Sequence, residues 1–115
     1  MRKLAIPVGN SQFIVTNQTL INQSIMKTQK QITVIIPALN EEATIGNVVR
    51  FARASPQVSE VIVVDDRSID ATVKEASDAG AKVIISQKRG KGTSMKEGVE
   101  MAANEILVFL DADIY

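Results

Sequence analysis

The chain has 115 residues, the size of a single domain, and its 45% hydrophobic and 23% charged residues are ordinary for a globular protein. Its 13 basic and 13 acidic residues cancel, so no overall charge attracts nucleic acid, and we expect no nucleic-acid partner. The sequence contains neither Cys nor His, which excludes a disulfide framework, a thiolate zinc site and imidazole catalysis. Carboxylates are therefore the remaining candidates for chemistry.

Residues 1–30 are rich in Asn, Gln, Ser and Thr, and we expect them to form a poorly defined N-terminal extension. The pattern over Gln12–Thr16 predicts one edge strand. The first apolar run is broken at Pro7 and Gly9, which argues against a signal peptide, and no stretch approaches the length of a membrane span. We therefore expect a cytoplasmic protein.

A strand and a helix are predicted next in the chain. The continuous β-branched run ITVII is typical of a strand buried on both faces, and Pro37 is expected to end it. Asn40 is the predicted N-cap of a helix, with Glu41 and Glu42 in its first turn and Ser55-Pro56 as its stop. The apolar positions at helical spacing are Ile45, Val48, Val49 and Ala52.

The same alternation of strand and helix then repeats. VIVV at residues 61–64 predicts a second buried strand, followed by a helix capped by Ser68 or Asp70 and closed at Gly80. Lys82–Ser86 predicts a third strand, and a basic, glycine-rich loop with the sequence QKRGKG follows it.

The last predicted elements are a helix over Thr93–Asn104 and a fourth strand with the sequence ILVFL. The predicted inner face of this helix consists of Met95, Val99 and Ala102. Strict alternation with short connections predicts an α/β fold, a mainly parallel sheet with flanking helices, whose ligands bind beyond the carboxyl ends of the strands.

Acidic residues cluster where these strands end. Asp111 and Asp113 follow the fourth strand, and Asp65 and Asp66 end the second. Two carboxylates about 5 Å apart repel by roughly 3 kcal/mol at an effective dielectric near 20, so a nearby cation would stabilise them. Oxygen ligands alone suit Mg²⁺ or Mn²⁺ and leave coordination positions for water and phosphates. The alternative for each cluster is that it caps a turn or a helix.

Four segments together resemble a known family: VIIPALNEEATIGNVV, VIVVDDRSIDAT, RGKGTSMKEGVEMA and ILVFLDADI. They are similar, in this order, to the nucleotide-sugar half of the GT-A-type glycosyltransferases, in particular family 2. That family has relatives such as polyprenyl-phosphate sugar synthases and glucosyl-3-phosphoglycerate synthase. The resemblance covers residues 31–115 and implies a Rossmann-like GT-A nucleotide-binding half, truncated after the strand that precedes Asp111.

The resemblance also implies roles for individual residues. The residues implied to line the nucleoside pocket are Pro37, Leu39 and Glu41, and those implied to contact the base or ribose are Val64 and Asp66. Asp65 is expected to support its loop. The segment Asp111, Ala112 and Asp113 matches the DxD motif, whose first acid lies near ribose and metal and whose second binds the metal. Lys91 and Gly92 match a loop that closes near the sugar phosphate, and Arg67 stands where the family often has Gly.

The implied activity is transfer of a glycosyl unit from a UDP- or GDP-sugar, with Mg²⁺ or Mn²⁺ bound at the DxD motif. In the family the acceptor pocket and the catalytic base follow this motif, so we expect a fragment, truncated after Tyr115, without transferase activity of its own. For the full-length protein the resemblance allows a lipid-phosphate acceptor and a location at the inner face of a membrane. An apolar surface meant for burial also allows a homo-oligomer.

Two other classes of protein are also compatible with the sequence. A receiver-type signalling domain has a similar size, an acidic pair and an acceptor Asp, although its acidic pair follows the first strand. A noncatalytic α/β binding module would keep the sheet and use the acids only as caps.

Overall fold

The structure is a computed structural model that describes residues 7–8, 12–13 and 30–114. The chain divides into two units, Met1–Lys30 and Gln31–Tyr115. In the first unit, strand β1 (Pro7–Val8) pairs antiparallel with strand β2 (Gln12–Phe13). The strand predicted over Gln12–Thr16 is confirmed for its first two residues, and its remainder lies outside the described residues.

The second unit is built on a parallel sheet. Its strands are β3 (Ile32–Ala38), β4 (Val58–Asp65), β5 (Lys82–Ile85) and β6 (Ile106–Phe109). Its helices are α1 (Ile45–Arg53), α2 (Thr72–Asp78) and α3 (Lys91–Met101). The strands lie in the order β5-β4-β3-β6, and all neighbours are parallel. The predicted mainly parallel α/β sheet with flanking helices is therefore confirmed.

The two central strands are apolar on both faces because helices cover both faces. On one face, Ile36 and Val63 pack in a core with residues of α1 and α2. On the other face, Ile35, Ile62 and Val64 form a second core, and α3 packs against β3 and β4 there. The continuous β-branched runs of the sequence are thus explained by burial on both sides.

Pro37 does not end its strand, contrary to the prediction. It lies inside β3, opposite Val64 of β4. The pairing of β3 with β6 reaches only Ile35, whose carbonyl accepts a hydrogen bond from the Leu110 N–H at 3.1 Å. Residues two apart in a parallel strand turn their backbone groups to the same side, so Pro37 faces the side where β6 has already ended. No ladder hydrogen bond is lost there.

The predicted start of the first helix is wrong. Helix α1 begins at Ile45 after Thr44, and its first turn holds no acidic residue. Asn40 instead adopts a positive φ of 52° in the preceding loop. Asn tolerates this left-handed conformation better than most residues do, so Asn40 forms part of a turn and not of a helix cap.

The second helix agrees better with its predicted boundaries. Helix α2 begins at Thr72, whose N–H donates to Asp70 Oδ1 at 2.9 Å, although the residue before the helix is Ala71. Gly80 follows the helix with a φ of 105°, as expected of a glycine that closes a helix. Ser68, the other predicted cap, belongs to the loop before the helix.

The predicted inner face of the third helix is wrong for Met95 and Val99. Helix α3 begins at Lys91, earlier than predicted, and its buried residues are Ser94 and Gly98. Met95 is half-buried and Val99 is exposed, while Ala102 packs against the core just after the helix ends. The small residues Ser94 and Gly98 let this helix approach the sheet closely. A search for apolar residues at helical spacing does not find a face made of Ser and Gly.

The fourth predicted strand is confirmed as β6, which lies at an edge of the sheet. Three of its apolar side chains are 38–41% exposed: Ile106, Val108 and Phe109. Self-association through such a surface stays a prediction. Among the described residues, no helix is long and apolar enough to span a membrane.

Glu60 joins β3, β5 and the segment after α3 at the end of the sheet opposite to the acidic clusters. Its carboxylate accepts hydrogen bonds from Thr33 Oγ1 at 2.7 Å, the Ala103 N–H at 2.9 Å and Lys82 Nζ at 2.9 Å. We expect Glu60→Ala to lower the free energy of unfolding by about 2 kcal/mol, because these partners lose their acceptor. Denaturant unfolding measures the change, and Glu100→Ala on the exposed face of α3 should change it by less than about 0.5 kcal/mol.

The pH dependence provides a second measurement of the same contribution. Burial raises the pKa of Glu60, but the hydrogen bonds from Ala103, Thr33 and Lys82 outweigh burial and hold the pKa below its usual value. A carboxyl with a lowered folded pKa stabilises the fold above its unfolded pKa and loses that contribution as the pH falls through its folded pKa. The stability difference between wild type and Glu60→Ala should therefore shrink in acid, and a constant difference would contradict this account.

Candidate functional site

A cavity of about 340 Å³ lies at the carboxyl ends of the strands, beside the start of α3. Its lining residues are Pro37, Ala38, Leu39, Glu41, Asp66, Lys91, Ser94, Asp111, Ala112 and Asp113. The cavity lies near the point where the strand order reverses: the chain first runs outward from β3 to β4 and β5, and then returns to β6 on the other side. Open α/β sheets bind ligands at such a switch point.

The structure brings together all the site residues predicted from the sequence except Val64 and Gly92. Val64 is fully buried under α3, so its side chain offers nothing to a ligand in this cavity. Gly92 lies in the first turn of α3 and is exposed. Lys91 also belongs to this helix and not to a loop.

The two acidic clusters, one after β4 and one after β6, do not end adjacent strands. Strand β3 lies between β4 and β6, so Pro37 and Leu39 separate Asp66 from Asp113. The strand between them thereby supplies apolar residues to the middle of a cavity whose two sides are acidic.

Hydrogen bonds between two loops hold the β3 side of the cavity. The Asn40 N–H donates to Ser68 Oγ at 2.8 Å, and the Ile69 N–H donates back to Asn40 Oδ1 at 2.9 Å. The Glu41 N–H donates to Thr72 Oγ1 at 2.7 Å. The turn at Asn40 therefore fixes the backbone of Leu39 and Glu41 against the loop that follows β4.

The two acids after β4 have different environments. Asp65 is 1% exposed and accepts hydrogen bonds from the N–H and the hydroxyl of Ser68, which confirms that it supports the loop. Arg67, which follows the two acids, has a φ of 63°, a conformation that suits the Gly often present in the family. Asp66 turns toward the cavity, where its Oδ2 accepts from the Gly90 N–H at 3.1 Å.

The acidic turn after β6 is anchored through its central residue. Ala112 is buried, and its carbonyl accepts a hydrogen bond from Thr44 Oγ1 at 2.7 Å. Asp111 and Asp113 are exposed on either side of it and both line the cavity. An ammonium group lies beside this carboxylate pair, since Lys91 Nζ is 2.9 Å from Asp111 Oδ1.

The neighbouring carboxylates favour the protonated, charged form of Lys91. The hydrogen bond to Asp111 and the charges of Asp111 and Asp113 raise the pKa of Lys91 above its usual value. Both partners of the ion pair are largely exposed, so the pair is screened by water and can exchange for other partners.

The donor set of the turn fits a divalent cation that is shared with a ligand. Within the described residues, no group of three or more acidic side chains forms a complete metal site. Asp111 and Asp113 provide carboxylate oxygens on an open rim, and Mg²⁺ is commonly held by one or two carboxylates together with water and phosphate oxygens. Asp113 makes no hydrogen bond or ion pair with another described residue, so its carboxylate is available for such a cation.

Ser94 is a cavity residue that the sequence analysis did not predict. A single Ser inside a helix carries no signal in spacing or charge, so only the packing of α3 places it here. The two buried side-chain atoms without a hydrogen-bond partner in the described part of the chain are Ser94 Oγ and Asp66 Oδ1, and both residues line the cavity. Unpaired buried polar atoms are uncommon and are consistent with a ligand site.

A parallel sheet in this order with a polar cavity at its switch point defines a Rossmann-like nucleotide-binding domain. The family model described as "Glycosyl transferase family 2" matches residues 33–115. The chain therefore belongs to glycosyltransferase family 2, and the receiver-type alternative is set aside.

Characterised relatives agree with this assignment. Glucosyl-3-phosphoglycerate synthase of Mycolicibacterium smegmatis is 32% identical over 106 residues, which cover 84% of this chain and 35% of the relative. The Mycobacterium tuberculosis enzyme of the same name is 35% identical over 98 residues, which cover 76% of this chain and 30% of the relative. The chain thus spans about a third of the length of these relatives.

Solved structures confirm the fold. The M. tuberculosis glucosyl-3-phosphoglycerate synthase in complex with Mn²⁺, UDP-glucose and phosphoglyceric acid is similar with a TM-score of 0.70 and 33% identity, over 77% of this chain and 35% of that one. The complex of that enzyme with Mg²⁺ and UDP gives the same TM-score, identity and coverage. The predicted Rossmann-like GT-A nucleotide-binding half is therefore confirmed.

Proposed function

We propose that this chain forms the donor-binding part of a metal-dependent glycosyltransferase that uses a UDP-sugar. The observation that carries the proposal is that Asp66 and the turn Asp111–Asp113 open into one cavity at the switch point of the sheet. Likeness to an enzyme solved with UDP-glucose and Mn²⁺ supports UDP over GDP as the nucleotide.

The proposed roles follow the positions around the cavity. The nucleoside side is formed by Pro37, Leu39 and Glu41, and loop contacts hold the backbone of Leu39 and Glu41. Asp66 accepts a hydrogen bond from the base or ribose, since its Oδ1 is buried and unpaired by any described residue. Asp111 and Asp113 hold Mn²⁺ or Mg²⁺ against the diphosphate, and the exposed ammonium of Lys91 lies beside them.

This arrangement suits the chemistry of glycosyl transfer. A bound divalent cation would offset the negative charge that develops on the departing nucleotide diphosphate. Lys91 adds a second positive charge on the same rim, because its ion pair with Asp111 is exposed and can rearrange toward a phosphate. The proposal assigns donor binding to the described residues and assigns no catalytic base among them.

The acceptor is proposed by likeness alone. The M. tuberculosis enzyme has been solved with phosphoglyceric acid, which favours a small anionic acceptor for the whole protein over a lipid phosphate. A lipid-phosphate acceptor, a cytoplasmic location, attachment at a membrane face and a homo-oligomer stay predictions from the sequence.

Calorimetric titration with UDP tests the proposal. We expect Mn²⁺ to strengthen UDP binding on the order of a hundredfold relative to EDTA, since metal and diphosphate share one site and each raises the affinity for the other. GDP and CDP are the comparison nucleotides, and tighter binding of either would change the proposed donor.

Thermal melts with the same ligands distinguish the proposed donor site from a noncatalytic module. A ligand present at a hundred times its Kd stabilises the folded chain by about 2.7 kcal/mol, which a thermal melt detects. If neither UDP nor Mn²⁺ moves the thermal midpoint at millimolar concentrations, the cavity is not a nucleotide site and the binding-module alternative replaces the proposal.

A further inference from the structure

Ser94 has no role in the function proposed above, although it lies at the cavity. Its side chain is 1% exposed, and its Oγ has no hydrogen-bond partner among the described residues. Burying a hydroxyl without a partner costs free energy, and a Ser on the inner face of a helix could be Ala at no loss of packing. The hydroxyl at this position is therefore best explained by a partner outside the chain.

Ser94 and Asp66 are both joined by hydrogen bonds to one residue, Gly90. The Gly90 N–H donates to Asp66 Oδ2 at 3.1 Å, and the Ser94 N–H donates to the Gly90 carbonyl at 3.0 Å. Both residues line the cavity, and each has one buried side-chain atom without a partner among the described residues, Asp66 Oδ1 and Ser94 Oγ. Two such groups in one cavity can be paired by one ligand.

The chemistry of the two groups limits what that ligand presents. A carboxylate only accepts hydrogen bonds, whereas a hydroxyl both donates and accepts. The negative charge of Asp66 repels phosphate, so an uncharged part of the ligand belongs here. A nucleobase edge with an N–H beside a carbonyl, as in uracil, satisfies both groups.

We propose that Ser94 contacts the nucleotide base. Its hydroxyl donates a hydrogen bond to a base carbonyl, and the neighbouring N–H of the base donates a hydrogen bond to Asp66. This inference rests on the proposed function, because it takes the nucleotide as the ligand of the cavity. It adds a contact to that site and predicts that the contact is independent of the metal, since Ser94 acts on the base and not on the diphosphate.

Titration of Ser94→Ala with UDP tests the inference. We expect UDP binding to weaken about tenfold, because a buried carbonyl of the ligand loses its donor. The same factor is expected in Mn²⁺ and in EDTA. Thr93→Ala is the matched control, since Thr93 is a neighbouring half-buried residue of the same helix turn that does not line the cavity, and it should leave UDP affinity within twofold.

The melting temperature of the ligand-free variant separates loss of contact from loss of fold. Ser94→Ala removes no hydrogen bond to a described residue, so its thermal midpoint should equal or exceed that of the wild type. A clearly lower midpoint would show that the hydroxyl stabilises the fold, and it would overturn the inference.

The binding results distinguish failure of the inference from failure of the proposed function. If the wild type binds UDP with Mn²⁺ and Ser94→Ala binds it equally well, the inference is wrong and the proposed function stands. A loss confined to the Mn²⁺ titration would place Ser94 at the diphosphate and would overturn the base contact. If the wild type binds no UDP, the proposed function fails and the inference fails with it.

Discussion

Asp113→Ala is expected to abolish the effect of Mn²⁺ on UDP binding. In the variant, the dissociation constant of UDP in Mn²⁺ should lie within twofold of its value in EDTA. The affinity for UDP in Mn²⁺ should thus decrease on the order of a hundredfold, or by about 2.7 kcal/mol. The reason is that Asp113 lines the cavity with a carboxylate that no described residue pairs with, while the carboxylate of Asp111 already accepts a hydrogen bond from Lys91 at 2.9 Å. Calorimetry with UDP in Mn²⁺ and in EDTA measures both values.

The control for this variant is Asp78→Ala. Asp78 is also an exposed carboxylate, but it ends α2 and pairs with Lys74, away from the cavity. It should leave the effect of Mn²⁺ unchanged. If Asp113→Ala keeps the full effect of Mn²⁺, then Asp113 does not hold the metal, and the assignment of the acidic turn is wrong even if UDP binds.

The strands of the sheet could be predicted because their signal is local. ITVII and VIVV are continuous β-branched runs, and such runs indicate a strand covered on both faces. The parallel arrangement followed from the alternation of strands with helices. The strand order was not predictable in the same way, because it depends on which edge each crossover reaches. The separation of Asp66 from Asp113 by β3 therefore appeared only in the structure.

The loops and helix starts were harder to predict because long-range contacts decide them. Asn40 has the side chain of a good helix cap, yet its side-chain carbonyl oxygen accepts from Ile69, a residue far away in sequence. Its N–H likewise pairs with Ser68. Local preference at Asn40 is thus overridden by a contact between two loops, which a single sequence does not display.

Most of the candidate site could be predicted because acids at the carboxyl ends of parallel strands meet at one edge. Asp111 and Asp113 do not extend the strand itself, since β6 ends at Phe109 and the acids lie at a turn. Their side chains reach the cavity because the Thr44 hydroxyl anchors the backbone between them. Ser94 was missed because only the close packing of α3 gives it a place in the site.

Gly98→Val is expected to lower the free energy of unfolding by about 3 kcal/mol. A Cβ atom at Gly98 would lie 2.5 Å from Ile35 Cγ2, closer than side-chain atoms approach, and 3.2 Å from Val64 Cγ2, which is a tight contact. Both neighbours are fully buried in the central strands, so they cannot move aside without straining the core. Overpacking should therefore outweigh any gain in helix propensity from replacing glycine. Denaturant unfolding measures the change.

Gly92→Ala is the matched control. Gly92 lies in the same helix as Gly98, and a Cβ atom added there would meet no neighbouring atom within 4 Å. Its stability should stay equal or rise by up to about 1 kcal/mol.

Helix α3 carries Lys91 and Ser94 to the cavity. A helix displaced by the larger side chain in Gly98→Val should therefore also weaken UDP binding. Asp113→Ala, in contrast, should weaken binding without changing stability. Unchanged unfolding of Gly98→Val would mean that α3 does not pack directly on Ile35, and the position of Ser94 at the cavity would then lose its physical basis.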